Sequence, residues 1–374
     1  MAITTGECAE LLSPSAPDDL SARIAELYRD TQACASAAGL VYVTDESPGI
    51  RRLRRGRGFG YRDSSNRLLS DAAAKARIMA LAIPPAWRNV WICPDDSGHI
   101  MAVGEDDRGR KQYIYHARWR ELRDLLNFYR LITFGEQLPT IRRYVDSQLR
   151  RRTLDRDQVL AAMVRIIDTC AVRIGNEVYA EENDSFGLST LTKKHVKVSR
   201  GQVRMTFPAK SGKKADLVID DRQIARVITK LEQHRKRRVF TIDGKAVDSA
   251  EVNALLEALT DEHITAKDFR TWRGTHAAFR YLEDHLNSTD DPERTALQAI
   301  DVAAEILGNT RDVARDHYIH PHVLSAFTDG TFRERLQASA PRRQQLLDGS
   351  ERRLLAFLKV ALDSDLDAAS LGLR

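Results

Sequence analysis

The hydrophobic periodicity of this 374-residue chain changes near residue 120, and the change demands two differently built parts. From Leu40 to about Glu121, strand-like runs alternate with turns: Leu40–Val43, Val90–Cys93, His99–Val103 and Gln112–Tyr115. The stretch Pro94-Asp95-Asp96-Ser97-Gly98 reads as a hairpin connection. Ser70 to Ala82 is helical in pattern and stops before Pro84 and Pro85. Beyond about Arg120, apolar residues fall at helical spacing, as at Val159, Met163, Ile166, Ile167 and Cys170. One interruption stands out. His195–Ser199 and Gln202–Phe207 alternate around Arg200-Gly201, and Ala215–Ile219 follows as a third strand. The expected fold class is α+β: a small strand-rich N-terminal domain and a larger, mainly α-helical domain with a three-stranded sheet. The expected boundaries are a flexible tail over 1–36 (with one helix near Leu20 to Tyr28), domains over 37–121 and 122–340, and a charged helical extension over 341–374.

Composition excludes several classes. At 43% apolar and 30% charged residues the chain reads as globular, and no apolar run approaches the roughly 18 residues of a membrane span. Met1 to Asp19 lacks the basic and apolar regions of a secretory signal. Cys8, Cys34, Cys93 and Cys170 are scattered, so neither a disulfide framework nor a zinc site is expected, and the expected location is cytoplasmic. The net charge is +5, but its clustering says more. Residues 51–62 hold six arginines and no acid, and 234–238 read His-Arg-Lys-Arg-Arg. Such clusters suit a polyanion; a solvated face is the competing reading.

Three residues carry chemistry. Tyr318 closes the run Gly308-Asn309-Thr310-Arg311-Asp312-Val313-Ala314-Arg315-Asp316-His317-Tyr318. Arg173 lies in Val172-Arg173-Ile174-Gly175-Asn176-Glu177, and Arg270 in Lys267-Asp268-Phe269-Arg270-Thr271-Trp272. A phenol with a reference pKa of about 10 is a poor nucleophile at neutral pH. Two guanidiniums on one phosphodiester neutralise it and stabilise the added charge of a pentacoordinate transition state. The order Arg, Arg, Tyr therefore outlines a strand transferase with a phosphotyrosine intermediate.

The longer strings resemble the type IB DNA topoisomerases of the compact bacterial and poxvirus kind, over roughly residues 40–330. The matching segments are Arg173–Tyr179 with Gly187–Val196, Phe207–Lys213, Phe269–Trp272 and Tyr318–Pro321. Ile83–Trp87 and Gly109–Tyr113 resemble the family's N-terminal part. The resemblance implies a catalytic domain of the type shared with tyrosine recombinases. It implies Tyr318 as nucleophile, Arg173 and Arg270 as phosphate clamps, and Lys210 as general acid to the 5′-hydroxyl. Lys213 and Lys214 compete with Lys210, which is preferred because the family places its lysine directly after the strand, three residues past the aromatic. Asn309, nine residues before the tyrosine, stands where poxvirus members carry histidine and bacterial members asparagine; its amide also donates. Lys111, Gln112, Tyr113, Tyr179 and Lys267 are the implied DNA contacts. No cofactor and no metal are expected. The expected partner is double-stranded DNA, clamped by a monomer at the nucleoid.

Each residue taken singly has a structural reading: a packing tyrosine, ion-paired arginines, an exposed turn lysine, exposed strand residues. Two other functions fit parts of the pattern. A tyrosine recombinase shares the order Arg … Lys-x-x-Arg … Tyr, although its N-terminal half is usually helical. A DNA-binding protein that has lost catalysis is the other.

Overall fold

A computed structural model of the chain describes residues 20–370, except Arg57, Asn176, 178–183, 234–235, 289–290 and Arg342. The described residues form two compact units: those up to Arg130 with those from Asp363 onward, and residues 131–362. The division falls between Arg130 and Leu131, inside a long helix, rather than at residue 121.

The first unit begins with helices α1 (Leu20–Arg29) and α2 (Thr31–Ala37). The sequence assigned 1–36 to a flexible tail with one helix near Leu20 to Tyr28, which α1 matches; α2 was not expected. Both helices fold because Leu27, Cys34 and Ala35 are buried, and because the Arg123 and Arg130 guanidiniums lie 4.3 and 3.7 Å from the Tyr28 ring centroid. A five-stranded antiparallel sheet follows, in the order β2-β1-β3-β4-β5. Its strands are β1 (Ile50–Arg55), β2 (Gly58–Arg62), β3 (Arg88–Ile92), β4 (Ile100–Glu105) and β5 (Lys111–Tyr115), with helix α3 (Ala72–Ala80) between β2 and β3. Period-two alternation puts Ile50, Val90, Ile92 and Ala102 against Ile78 of α3, while Trp91, Cys93 and Val103 form a second cluster. The arginine run is the β1–β2 hairpin, turned at Gly56, whose φ is 58°. One of its arginines is structural. Arg52 donates to the carbonyls of Pro84 (3.1 Å) and Trp87 (2.6 Å) and lies 4.1 Å from the Phe59 ring centroid. Leu40–Val43, expected as a strand, contributes only a bridge from Val41 to Gly98.

Helix α4 (Ala117–Arg150) carries the chain into the second unit. There α5 (Arg156–Cys170) is capped by the Asp155 side chain, and its buried face includes Val159, Met163, Ile166 and Ile167. The three-stranded sheet appears where alternation placed it: β6 (Val196–Ser199), β7 (Gln202–Pro208) and β8 (Lys214–Ile219), antiparallel in that order. Val203, Met205 and Phe207 of β7 are buried; Arg204 faces outward and pairs with Asp216. After α6 (Arg222–Glu232) and the short pair β9 (Thr241–Ile242) and β10 (Lys245–Ala246), helices follow to the end. They are α7 (Ser249–Thr260), α8 (Ala266–Asp284), α9 (Pro292–Leu307), α10 (Arg311–Tyr318), α11 (Pro321–Thr328), α12 (Phe332–Ala338) and α13 (Gly349–Ser370). The C-terminal extension is no appendage, since Leu354, Phe357 and Leu358 of α13 belong to the core of the second unit. The chain is α+β, as its periodicity predicts.

Helix α8 is the spine of this core. Phe269 and Trp272 pack on Phe134 of α4, with ring centroids 4.9 and 5.9 Å apart. A partly buried ionic knot, with Glu351 as its buried member, holds the same helix. Arg142 donates to Asp168 (2.8 Å) and to Glu351 (2.8 Å), and the Trp272 indole donates to Glu351 at 3.2 Å. Burial opposes ionisation of Glu351, but the hydrogen bonds and charge of Arg142 hold its pKa down at about 2.

Glu351→Gln leaves Arg142 short of one carboxylate and is expected to cost about 2–4 kcal/mol of stability, read by urea denaturation. Because the folded pKa of Glu351 lies below the unfolded value of about 4.3, its contribution is present above that pH. It fades as pH falls toward about 2. The stability gap between parent and variant should therefore shrink over that window. A gap independent of pH contradicts the assignment.

Candidate active site

Two helices end where the site begins. Helix α5 ends at Ala171, held at φ 49° in the left-handed region, and α9 ends at Gly308, with φ 61°. Glycine takes this conformation freely; alanine does so at a cost of about 1–2 kcal/mol. Helix ends leave carbonyls without intrahelical partners and carry partial negative charge. Both ends point at one side chain: Arg270 donates to the carbonyls of Ala171 and of Leu307 (3.0 Å). Arg270 is only 4% exposed, and among the described residues no carboxylate pairs with it. Burial first, then the neighbouring Arg173, lowers its pKa from the usual arginine value.

Asn309 follows the second helix end and is buried. Its side-chain oxygen accepts from Arg173 and, at 3.5 Å, from Arg270, so it fixes both guanidiniums. Its amide nitrogen is buried with no partner among the described residues. Arg173 is placed by backbone pairing: its carbonyl accepts from Leu188 N–H at 2.9 Å, and that of Ile174 from Ser189 N–H at 2.7 Å. The two segments of this crossing touch at Gly175 and Gly187. A Cβ built on Gly187 would lie 2.4 Å from the Gly175 Cα.

Tyr318 ends α10 and is half-buried. The Arg270 guanidinium carbon lies 5.0 Å from its ring centroid. Burial opposes ionisation of the phenol, but Arg270, then Arg173 and Lys267, outweigh it, and its pKa falls below the ordinary tyrosine value. Helix α8 grips the backbone as well. The Thr275 hydroxyl donates to the Tyr318 carbonyl at 3.2 Å and accepts from His320 N–H at 3.0 Å. Gly274 makes room for this approach, since a Cβ there would lie 2.7 Å from the Tyr318 carbonyl oxygen.

Arg173, Lys210, Lys267, Arg270 and Tyr318 line one cavity of about 340 Å³. Four of its described lining side chains are cations and none is a carboxylate. Lys210 is exposed on the single helical turn Lys210–Gly212 between β7 and β8. Asn309 contributes from behind, through its bonds to the arginines. The arrangement can hold a phosphodiester between guanidiniums, with a phenol and an ammonium at its edges.

The other expected contacts lie elsewhere. Tyr179 is outside the described residues. Lys111, Gln112 and Tyr113 sit on β5, an edge strand of the first unit. Lys111 is paired with Asp45 at 2.8 Å, Gln112 donates to Asp106 at 3.1 Å, and Tyr113 is exposed with its ring stacked on Tyr115. Adjacent strand residues point to opposite faces, so Tyr113 and Gln112 reach solvent on different sides of that edge. Sequence reasoning passed over Gly274 and Thr275. The legible signal was an isolated glycine inside a helical run, which marks close backbone approach.

Comparison with known proteins identifies the family. A family model described as the catalytic core of eukaryotic DNA topoisomerase I matches residues 116–342, more than half the chain. A second, described as the N-terminal domain of bacterial DNA topoisomerase IB, matches residues 58–106. The chain belongs to the type IB DNA topoisomerases. It is 28% identical over 293 residues to DNA topoisomerase 1B of Acanthamoeba polyphaga mimivirus, covering 75% of this chain and 87% of that protein. It is 22% identical over 247 residues to DNA topoisomerase 1B of vaccinia virus (strain Copenhagen), covering 62% and 74%. Among solved structures, a XerH site-specific recombinase bound to its difH substrate aligns at 13% identity and a TM-score of 0.33, over 53% of this chain and 50% of that one. That similarity is too distant to bear on the fold.

Gly274→Ala separates helix propensity from site packing. Propensity alone predicts a gain of about 0.5–1 kcal/mol. Contact with the Tyr318 carbonyl predicts a net loss of about 1–2 kcal/mol by denaturant unfolding, because a crowded Cβ forces the backbone to shift. An unchanged or raised stability contradicts the packing described.

Proposed function

We propose that the protein relaxes positive and negative supercoils in duplex DNA by cutting and rejoining one strand, with Tyr318 as nucleophile. The observation that carries this reading is the cavity in which Arg173, Arg270, Lys210 and Lys267 surround a phenol whose pKa is lowered. The Tyr318 oxygen attacks the scissile phosphorus and the phenolic proton passes to solvent. The bond from phosphorus to the 5′ oxygen breaks, and Lys210 supplies the proton that makes this oxygen a hydroxyl. Arg173, Arg270 and the unpartnered Asn309 amide hold the non-bridging oxygens as charge develops on them. The 3′-phosphotyrosyl ester conserves the phosphodiester bond energy, so the reverse attack by the 5′-hydroxyl reseals the strand without ATP. Between the two steps the cut strand rotates about the intact one.

The fixed cations supply the charge stabilisation that a divalent metal gives in other phosphoryl transfers, which motivates a metal-independent reaction. The protein acts as a monomer on duplex DNA in the cytoplasm. Exposed Arg54 and Arg55 of the β1–β2 hairpin and Tyr113 of β5 are contacts offered by the first unit, to phosphates rather than to base sequence in the case of the arginines.

Plasmids of either supercoil sign, incubated with EDTA and without ATP, should both relax. Tyr318→Phe should bind plasmid as the parent does and relax it more than about 10³-fold slower, as expected on removal of a nucleophile. Relaxation by Tyr318→Phe within about tenfold of the parent contradicts the nucleophile assignment. Cleavage of both strands at a fixed pair of sites, without general relaxation, would favour a recombinase instead.

A further inference from the structure

Lys213 lies three residues beyond Lys210, on the return side of the same hairpin. The chain leaves β7 at Pro208, makes one tight turn over Lys210–Gly212, and re-enters the sheet at Lys214. Ala209 N–H closes that turn by donating to the Lys213 carbonyl at 2.7 Å. Gly212, at φ 72°, allows the chain to reverse. The base of the hairpin is tied down separately, since Phe186 N–H donates to the Pro208 carbonyl at 2.8 Å.

The side chain of Lys213 does not follow Lys210 into the cavity. Its ammonium donates instead to the carbonyl of Asn309 at 2.8 Å. This carbonyl stands two residues past the end of α9, where partial negative charge favours a cation. Asn309 is thus held twice. Its main chain receives the hairpin through Lys213, and its side chain receives Arg173 and Arg270. Among the described residues, this is the side-chain hydrogen bond that joins the turn bearing Lys210 to the segment bearing Asn309.

Proton transfer needs donor and acceptor within about 2.6–3.2 Å, and a group on an exposed turn does not meet that limit unless the turn is held. We propose that Lys213 is a positioning residue: it latches the hairpin tip to Asn309, so that Lys210 meets the 5′ oxygen as the bond to phosphorus breaks. The proposal rests on the reading of Lys210 as general acid given above. Lys213 itself touches neither phosphate nor leaving group in this account. Its effect is confined to the step in which the Lys210 proton moves to the 5′ oxygen.

That confinement makes the proposal testable. A duplex oligonucleotide is built around a cleavage site mapped with the parent protein, with oxygen or sulfur at the scissile 5′ bridging position. A thiolate leaves without protonation, so a defect in proton delivery vanishes on the sulfur substrate. Single-turnover cleavage by Lys213→Ala should be slower by about 10- to 100-fold on the oxygen substrate, the scale of a misplaced catalytic group. On the sulfur substrate it should fall within about threefold of the parent, as should Lys210→Ala. Lys213→Arg, which keeps a donor of similar reach, should restore most of the oxygen rate. Equal slowing on both substrates, or no slowing on either, overturns the latch. Failure of the parent protein to form any covalent adduct sinks the strand-cleavage reading and this proposal together. That failure is told apart because it shows before any variant is made.

Discussion

A guanidinium buried without a carboxylate among the described residues is the constraint around which the second unit is arranged. Taking a cation out of water costs several kcal/mol unless it is paired or well hydrogen-bonded. The two terminal nitrogens of Arg270 donate instead to the carbonyl ends of α5 and α9, at Ala171 and Leu307, and to the Asn309 side chain, while its Nε has no partner among the described residues. Helix ends offer only partial charge, so the site keeps a net positive potential. A salt bridge would have spent that potential internally. Here it acts on Tyr318, and it is available to a phosphodiester.

The dependence runs outward from there. Both helix ends must turn sharply to present their carbonyls, which is why Ala171 and Gly308 adopt left-handed backbone. Arg173, two residues past Ala171, and Asn309, one past Gly308, are thereby brought face to face. Helix α8 must approach Tyr318 closely, which Gly274 permits and Thr275 secures. The same helix is held from behind by Trp272 on Glu351 and by Phe269 on Phe134, so core packing and site geometry share one rigid element. Preorganised cations of this kind stabilise developing charge without reorganising as it appears.

Much of the chemistry was legible in the sequence because its residue types are distinctive. Arg173, Lys210, Lys267, Arg270 and Tyr318 are each recognisable within their strings, and one cavity gathers them. The three-stranded sheet was legible because alternation of buried Val203, Met205 and Phe207 with polar neighbours has one explanation. Other features depend on contacts that no local pattern encodes. The left-handed alanine at 171 is unreadable, since its reason is a carbonyl offered to an arginine 99 residues away. The bond from Lys213 to Asn309 joins residues 96 positions apart. The arginine run over 51–62 showed its charge but not that Arg52 is committed to the carbonyls of Pro84 and Trp87. Helix α1 was legible near Leu20 to Tyr28, but α2 was missed because the burial of Cys34 and Ala35, rather than periodicity, holds it.

The central claim is that buried and half-buried cations make Tyr318 more acidic than an ordinary tyrosine despite its burial. Titration of the tyrosine ring-carbon NMR signals in the DNA-free protein, with the Tyr318 signal assigned from Tyr318→Phe, reads this directly. The account predicts that Tyr318 ionises below the usual phenol value of about 10, and that Arg270→Gln moves it upward. A Tyr318 midpoint at or above that value in the parent protein, or one that Arg270→Gln leaves in place, would contradict it.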